Sequence, residues 1–213
     1  MKRNIADIRR EYLGEPLSKK DVNEDPFFQF NKWFDEAFNA DVDDPTAMTL
    51  ATASSKGRVT ARIVLLKGVE DRGFVFYTNY NSLKSNQIEE NPYGSLVFFW
   101  PELFRQVRIE GKIELLSPRI SEDYFNTRPE ESKISARVSS QSSEIPNRKY
   151  LEDKIEQERK KFKGKQIPRP EYWGGYSLKP DRLEFWQGRE NRLHDRIEFS
   201  LEEGKWIIRR LAP

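Results

Sequence analysis

Hydrophobic positions change their period several times along this chain. Phe30, Trp33, Phe34, Ala37 and Phe38 recur three and four apart, the spacing of one helix face. Asp25-Pro26 stands just ahead of them. An aspartate cap followed by a proline at the first helical position suits a helix start. Apolar and β-branched runs follow over 47–53, 59–69, 74–78, 93–100 and 105–116, separated by turn residues such as Ser54-Ser55-Lys56-Gly57 and Asp71-Arg72-Gly73. These predict strands. A short helix is predicted over 82–90, with Ser82 as its cap and Asn91-Pro92 as its stop. Ser117-Pro118 opens a helical region to about residue 137, which Pro129 breaks. Residues 150–163 form a charged helix ended by Gly164; acids interleave with bases, so it reads as a solvated face. Strands over 176–186, 197–201 and 205–211 close the chain, the last two joined by a turn at Glu202-Glu203-Gly204.

Seven or eight strands in hairpin succession, with helices inserted, predict a mainly β fold: an antiparallel barrel of Greek-key type decorated by helices. Residues 1–24 are polar and read as an N-terminal arm; residues 25–213 read as one domain. Charge is nearly balanced, with 37 Lys and Arg against 35 Asp and Glu. That disfavours a nucleic-acid partner, which usually draws a lopsided basic surface. There is no cysteine and one histidine, which excludes thiol chemistry and argues against a metal site. No apolar run approaches the length of a membrane span, and the expected compartment is the cytoplasm.

What chemistry remains is anion binding. Residues 184–196 hold the single histidine, His194, with Arg189, Arg192 and Arg196 around it and Trp186 at the start. Thr78, Ser82 and Lys84 gather where a strand passes into a helix N-terminus, a natural phosphate site. Tyr124, Arg128 and Ser132 lie four apart, again a phosphate-type set. Arg62 and Lys67 bracket an apolar run and stand five residues apart, so they point to opposite faces of a strand unless a bulge intervenes. Arg9-Arg10-Glu11-Tyr12 forms a compact group, either a mobile arm or a lid.

Arg62-Ile63-Val64-Leu65-Leu66-Lys67, Phe76-Tyr77-Thr78-Asn79, Arg105-Gln106-Val107, Tyr124-Phe125 with Arg128-Pro129, Gln141-Ser142-Ser143, Trp173-Gly174-Gly175 and the block 184–196 occur in this order. In order and spacing the chain resembles the pyridoxine/pyridoxamine 5′-phosphate oxidase family over nearly its whole length. The resemblance implies an FMN-binding split barrel working as a homodimer, with FMN at the subunit interface. It implies FMN contacts from Arg62, Ile63, Val64, Leu65, Leu66, Lys67, Tyr77, Thr78, Lys84, Gln106, Gln141, Ser142, Trp186 and Arg196. The substrate's phosphate falls to Lys67, Tyr124, Arg128 and Ser132. Arg192 and His194 are implied at the pyridine ring as the catalytic pair, and Arg9 and Tyr12 as a lid. The implied reaction is oxidation of pyridoxine 5′-phosphate or pyridoxamine 5′-phosphate to pyridoxal 5′-phosphate, with O2 as acceptor and H2O2 as product. The competing expectation is a flavin- or pyridoxal-phosphate-binding split barrel without turnover. Leu83 favours it, because the family carries arginine between Ser82 and Lys84. Ser135 and Arg137 also depart from the family pattern. Arg189 has no role in that pattern and is expected to be solvated.

Overall fold

A computed structural model of the chain describes residues 4–7 and 11–213. Arg9 therefore lies outside the described residues. The strands are β1 (Ala47–Ala53), β2 (Val59–Leu65), β3 (Gly68–Glu70), β4 (Gly73–Asn79), β5 (Tyr93–Trp100), β6 (Arg105–Leu115), β7 (Trp173–Gln187), β8 (Asp195–Glu202) and β9 (Lys205–Leu211). The helices are α1 (Pro26–Asn39), α2 (Leu83–Glu90), α3 (Pro118–Thr127), α4 (Glu130–Val138) and α5 (Arg148–Phe162). Strands are hydrogen-bonded in the order β2-β1-β5-β6-β7-β4-β3, with β8 on β7 and β9 on β8. The chain divides into two compact units: 1–50 with 95–111 and 180–213, and 51–94 with 112–179. No helix among the described residues is long and apolar enough to cross a membrane.

In the first unit α1 starts as its sequence requires. The Asp25 carboxylate accepts from the Phe27 N–H at 2.8 Å, and Pro26 takes the first turn, where no N–H is needed. Its buried face is Phe27, Phe30, Trp33 and Ala37. Phe30 packs on Phe98 at 5.2 Å between ring centroids, and Trp33 meets Phe185 edge-on at 5.2 Å. Each such side chain contributes about 1.5–3 kcal/mol by leaving water. Phe38 departs from the predicted stripe: it is 68% exposed near the helix end. Periodicity gives the face of a helix but not how far along it the core extends. β7 pairs with β8 antiparallel from Arg182↔Ser200 to Gln187↔Asp195, and β8 pairs with β9 from Arg196↔Leu211 to Glu202↔Lys205.

In the second unit β4 pairs antiparallel with the start of β7, Phe74 against Leu178 through Asn79 against Trp173. Phe74, Phe76 and Leu178 are fully buried. The strand expected over 59–69 is in fact two. β2 ends at Leu65, and Lys67 N–H then donates to Val75 O at 2.8 Å, so the chain leaves one neighbour and takes β4 as the next. The helical region from 117 is likewise two helices, parted at Arg128-Pro129 as proline predicts. The charged helix α5 corrects its expectation as a purely solvated face. Leu151, Ile155 and Phe162 pack on a cluster of Phe125, Ile134, Ala136, Val138, Ile167 and Trp173. Arg137 extends this contact, pairing with Glu158 at 2.8 Å and lying 4.8 Å over the Phe162 ring.

Candidate functional site

The break after Leu65 decides the site. In one continuous strand Arg62 and Lys67 would face opposite ways. With the strand ended between them, both line a cavity of about 700 Å³ in the second unit. Thr60, Ile63, Val64, Leu65, Tyr77, Thr78, Leu83, Lys84, Tyr124, Arg128, Gln141, Ser142 and Trp173 complete most of its wall. Among the described residues four cations line it (Arg62, Lys67, Lys84 and Arg128), and no carboxylate does. Like charges gathered in one wall repel one another, so such a wall suits an anionic ligand. Leu66 is buried and Ser132 half-buried on α4, and neither is part of the wall.

Lys84 lies in the first turn of α2 and is buried. Its ammonium donates to Gln141 Oε1 at 2.7 Å, Thr78 Oγ1 at 3.0 Å and Ser82 Oγ at 3.0 Å. All three partners are neutral. Burial first, and then the charge of Arg62, pull its pKa from 10.5 down to about 8. The predicted Ser82 cap is not made by its side chain; that hydroxyl is engaged by Lys84 instead. The Leu83 N–H at the helix start donates to Ser142 Oγ at 3.2 Å. Arg62 reaches Thr52 Oγ1 at 2.7 Å and also Thr60 Oγ1. Gln87 Oε1 accepts from both of those hydroxyls, at 2.6 and 2.7 Å. Burial lowers the pKa of Arg62.

The other side of the cavity is aromatic. Tyr77 and Tyr124 stack at 3.8 Å with 12° between planes, and Tyr77 stacks on Trp173 at 5.4 Å and 11°. Gly175 permits this, since a Cβ there would come within 2.8 Å of the Tyr77 ring and 2.6 Å of Leu116. Burial raises both tyrosine pKa values, that of Tyr77 to about 12 with help from Glu70. Both phenols therefore stay protonated at neutral pH. The Arg128 guanidinium lies 4.5 Å over the Trp173 ring, and its Nη1 is buried without a hydrogen-bond partner. Burial lowers its pKa while Tyr124 opposes the change. A buried, unpartnered guanidinium nitrogen in an acid-free pocket is a donor in want of an acceptor.

Gln106, Trp186, Arg192, His194 and Arg196 belong to the first unit, as does Tyr12. His194 Nδ1 accepts from the Arg189 N–H at 3.1 Å, so in the neutral ring the proton sits on Nε2. Burial and the nearby Arg192 lower its pKa, and Asp195 works against them. Its ring lies 4.6 Å from that of Trp186. Arg192 is exposed on a short turn with a positive φ of 61°. Arg196 forks onto Glu184 through two 2.9 Å bonds and donates to Ala212 O at 2.8 Å. Gln106 is half-exposed on β6. Arg189 is not solvated as expected. Its guanidinium donates to Gly14 O at 2.9 Å and stands 3.7 Å from Asp195. Sequence reasoning missed Trp173 and Thr60 as parts of the wall; their placement depends on strand neighbours distant in sequence.

An antiparallel β fold with a cationic cavity against stacked aromatic rings has the chemistry to suit phosphorylated, planar ligands. Residues 34–162 match the family Pyridoxamine 5′-phosphate oxidase, and residues 173–213 match the Pyridoxine 5′-phosphate oxidase C-terminal dimerisation region. The chain belongs to the pyridoxamine 5′-phosphate oxidase family. It is 52% identical over 215 residues to a pyridoxine/pyridoxamine 5′-phosphate oxidase of Cytophaga hutchinsonii, covering 100% of both chains. It is 52% identical over 210 residues to the protein of that name from Cupriavidus necator, covering 98% of this chain and 99% of the other. Among solved structures, PhzG from Burkholderia lata in complex with tetrahydrophenazine-1-carboxylic acid superposes with a TM-score of 0.89 at 28% identity. That match covers 94% of this chain and 99% of PhzG. The fold is thus the mainly antiparallel split barrel with added helices that the sequence resemblance implied.

Proposed function

We propose that this chain is an FMN-dependent oxidase of pyridoxine 5′-phosphate and pyridoxamine 5′-phosphate, giving pyridoxal 5′-phosphate. O2 is the electron acceptor and H2O2 the product; the amine substrate also consumes water and releases ammonia. The observation that carries this reading is the pocket wall, four cations and no carboxylate beside three stacked rings. FMN and the substrate each bring a phosphate monoester, and the orphaned Arg128 Nη1 and the carboxylate-free Lys84 are donors of the right chemistry for them.

In this reading Arg62, Thr78, Lys84, Gln141 and Ser142 hold FMN, together with residues 63–67, Tyr77, Gln106, Trp186 and Arg196. Lys67, Tyr124, Arg128 and Ser132 take the substrate's phosphate. Arg192 and His194 serve the substrate's ring: the neutral imidazole offers an Nε2–H, and Arg192 offers a positive charge near the reacting carbon. Tyr12, with Arg9, covers the substrate. When bound, FMN supplies the two-electron redox chemistry, while the protein supplies binding and orientation. We further propose a homodimer with the site at the subunit interface, which the match of 173–213 to a dimerisation region supports.

Leu83 favours a second reading, a flavin binder without turnover. It lines the pocket with an apolar side chain, half-exposed, where the family carries a cation. One experiment separates the two. The purified protein is saturated with FMN, given pyridoxine 5′-phosphate or pyridoxamine 5′-phosphate under air, and followed for the aldehyde. Aldehyde with matching peroxide supports the oxidase. Flavin binding with no aldehyde overturns it.

A further inference from the structure

Asp195 has no place in the reading above, yet it is buried beside His194 at the start of β8. One oxygen of its carboxylate accepts from the Leu17 N–H at 3.0 Å. The other pairs with the Arg210 guanidinium from β9. Arg189 stands 3.7 Å away on the first side. The two arginines also reach the same N-terminal segment. Arg210 Nη1 donates to Leu17 O at 3.1 Å, and Arg189 Nη1 donates to Gly14 O at 2.9 Å. The Gly14 N–H in turn donates to Gly188 O at 3.1 Å. Both main-chain groups of Gly14 and of Leu17 are thus used, and the Leu17 side chain is buried.

The crossing is close because both of its residues are glycine. A Cβ on Gly14 would fall 2.1 Å from Gln187 Nε2, and one on Gly188 would fall 2.7 Å from the Tyr12 ring. The consequence is the placement of Tyr12. Its ring stands edge-on to Trp186, His194 and Phe104 at 5.6, 5.6 and 5.7 Å. Arg189 serves both ends of this arrangement, since its own N–H holds His194 Nδ1.

We propose that Asp195 is a positioning residue. Acting through Arg189, Arg210 and the Leu17 peptide, it latches residues 12–17 as a strap and keeps Tyr12 against Trp186 and His194. The carboxylate is shared by two cations and a buried N–H, so its charge holds the strap, β9 and the 188–194 turn in one register. Neutralising it takes from Arg189 and Arg210 the buried counter-charge they share. Its bearing on turnover rests on the oxidase reading; the strap itself does not.

The test uses Asp195→Asn and, in case that variant folds poorly, Arg189→Met. Amide hydrogen exchange is followed over residues 11–18 and, as control, over β8 and β9. Loss of a charge-assisted bond is expected to speed exchange in the strap by ~10-fold or more in both variants, with β8 and β9 unchanged. In the FMN-loaded enzyme the KM for pyridoxine 5′-phosphate is expected to rise by the factor by which the strap-closed fraction falls, with kcat and FMN affinity nearly unchanged. Unaltered strap exchange in both variants overturns the proposal. Exchange that rises equally through β8 and β9 also overturns it, since Asp195 is then a general support of the sheet. If the wild-type protein makes no aldehyde, the oxidase reading fails while the exchange result still decides the strap.

Discussion

Replacing Lys84 by methionine is expected to abolish a pH-dependent cost to the ligand-free protein while weakening its hold on FMN. The ammonium is buried among Gln141, Thr78 and Ser82, and its pKa falls from 10.5 to about 8. A lowering of that size corresponds to roughly 3 kcal/mol of disfavoured charge in the fold at neutral pH. Methionine has similar length and removes that cost. The acceptors left behind keep other partners: Thr78 Oγ1 donates to Gln141 Oε1 at 3.1 Å, and Ser82 Oγ is 3.1 Å from Ser85 Oγ. Loss of the ammonium's three bonds, each about 1 kcal/mol, offsets most of this cost at neutral pH, so the ligand-free variant is expected within ~1 kcal/mol of wild type there. The sign of the pH dependence follows. Between pH 8 and 10.5 the unfolded chain holds the lysine proton and the folded chain has released it. Stability of the wild-type protein from this group therefore rises with pH across that window and is lowest below it. The assay is urea unfolding of flavin-free protein at fixed protein concentration, at about pH 7 and again at about pH 9.5, for both proteins. Wild type should gain on this group over that interval and Lys84→Met should not. With FMN bound wild type should be the more stable of the two, because the charge that costs the empty fold binds the phosphate. Equal pH dependence in the two proteins, or a variant as tight for FMN as wild type, would refute the reasoning.

Arg128→Met should raise the KM for either phosphorylated substrate at least ~10-fold, the worth of one charged hydrogen bond, with FMN affinity little changed; parallel loss of both would show that Arg128 serves the flavin. Leu83→Arg restores a cation to the pocket wall and should tighten FMN in equilibrium titration, whereas an unchanged affinity would mean that the four existing cations already suffice. His194 has a pKa lowered from 6.5 by burial and Arg192, so below that pH the unfolded chain binds the extra proton first. Stability from this group is then lost as pH falls through 6.5, and the acid limb of kcat/KM should lie below 6.5 and vanish in His194→Gln. An NMR titration that puts the imidazole pKa above 6.5 would contradict this.

Sequence by itself determined much of this protein. Asp25-Pro26 set the start of α1, and Pro129 parted α3 from α4, because cap and proline effects act within a turn of chain. Turn residues bounded β1 and β9 correctly for the same reason. The ordered motifs carried the family across the whole length, and with it most of the pocket's residues. Tertiary structure decided the rest. Nothing in residues 59–69 says that the backbone trades one strand neighbour for another at Leu66. That exchange is what turns Arg62 and Lys67 into one pocket. The charged sequence of α5 hid Leu151, Ile155 and Phe162, whose partners lie on α3, α4 and β7. Arg189 looked like a solvated turn charge until Gly14, far away in sequence, and Asp195, six residues on, were placed beside it. Lys84 is a surface-type residue by composition, and only its burial beside Arg62 gives it a pKa near 8. Local signals report what a residue's neighbours along the chain require, whereas burial, strand partners and counter-charges come from residues that meet only when the chain has folded.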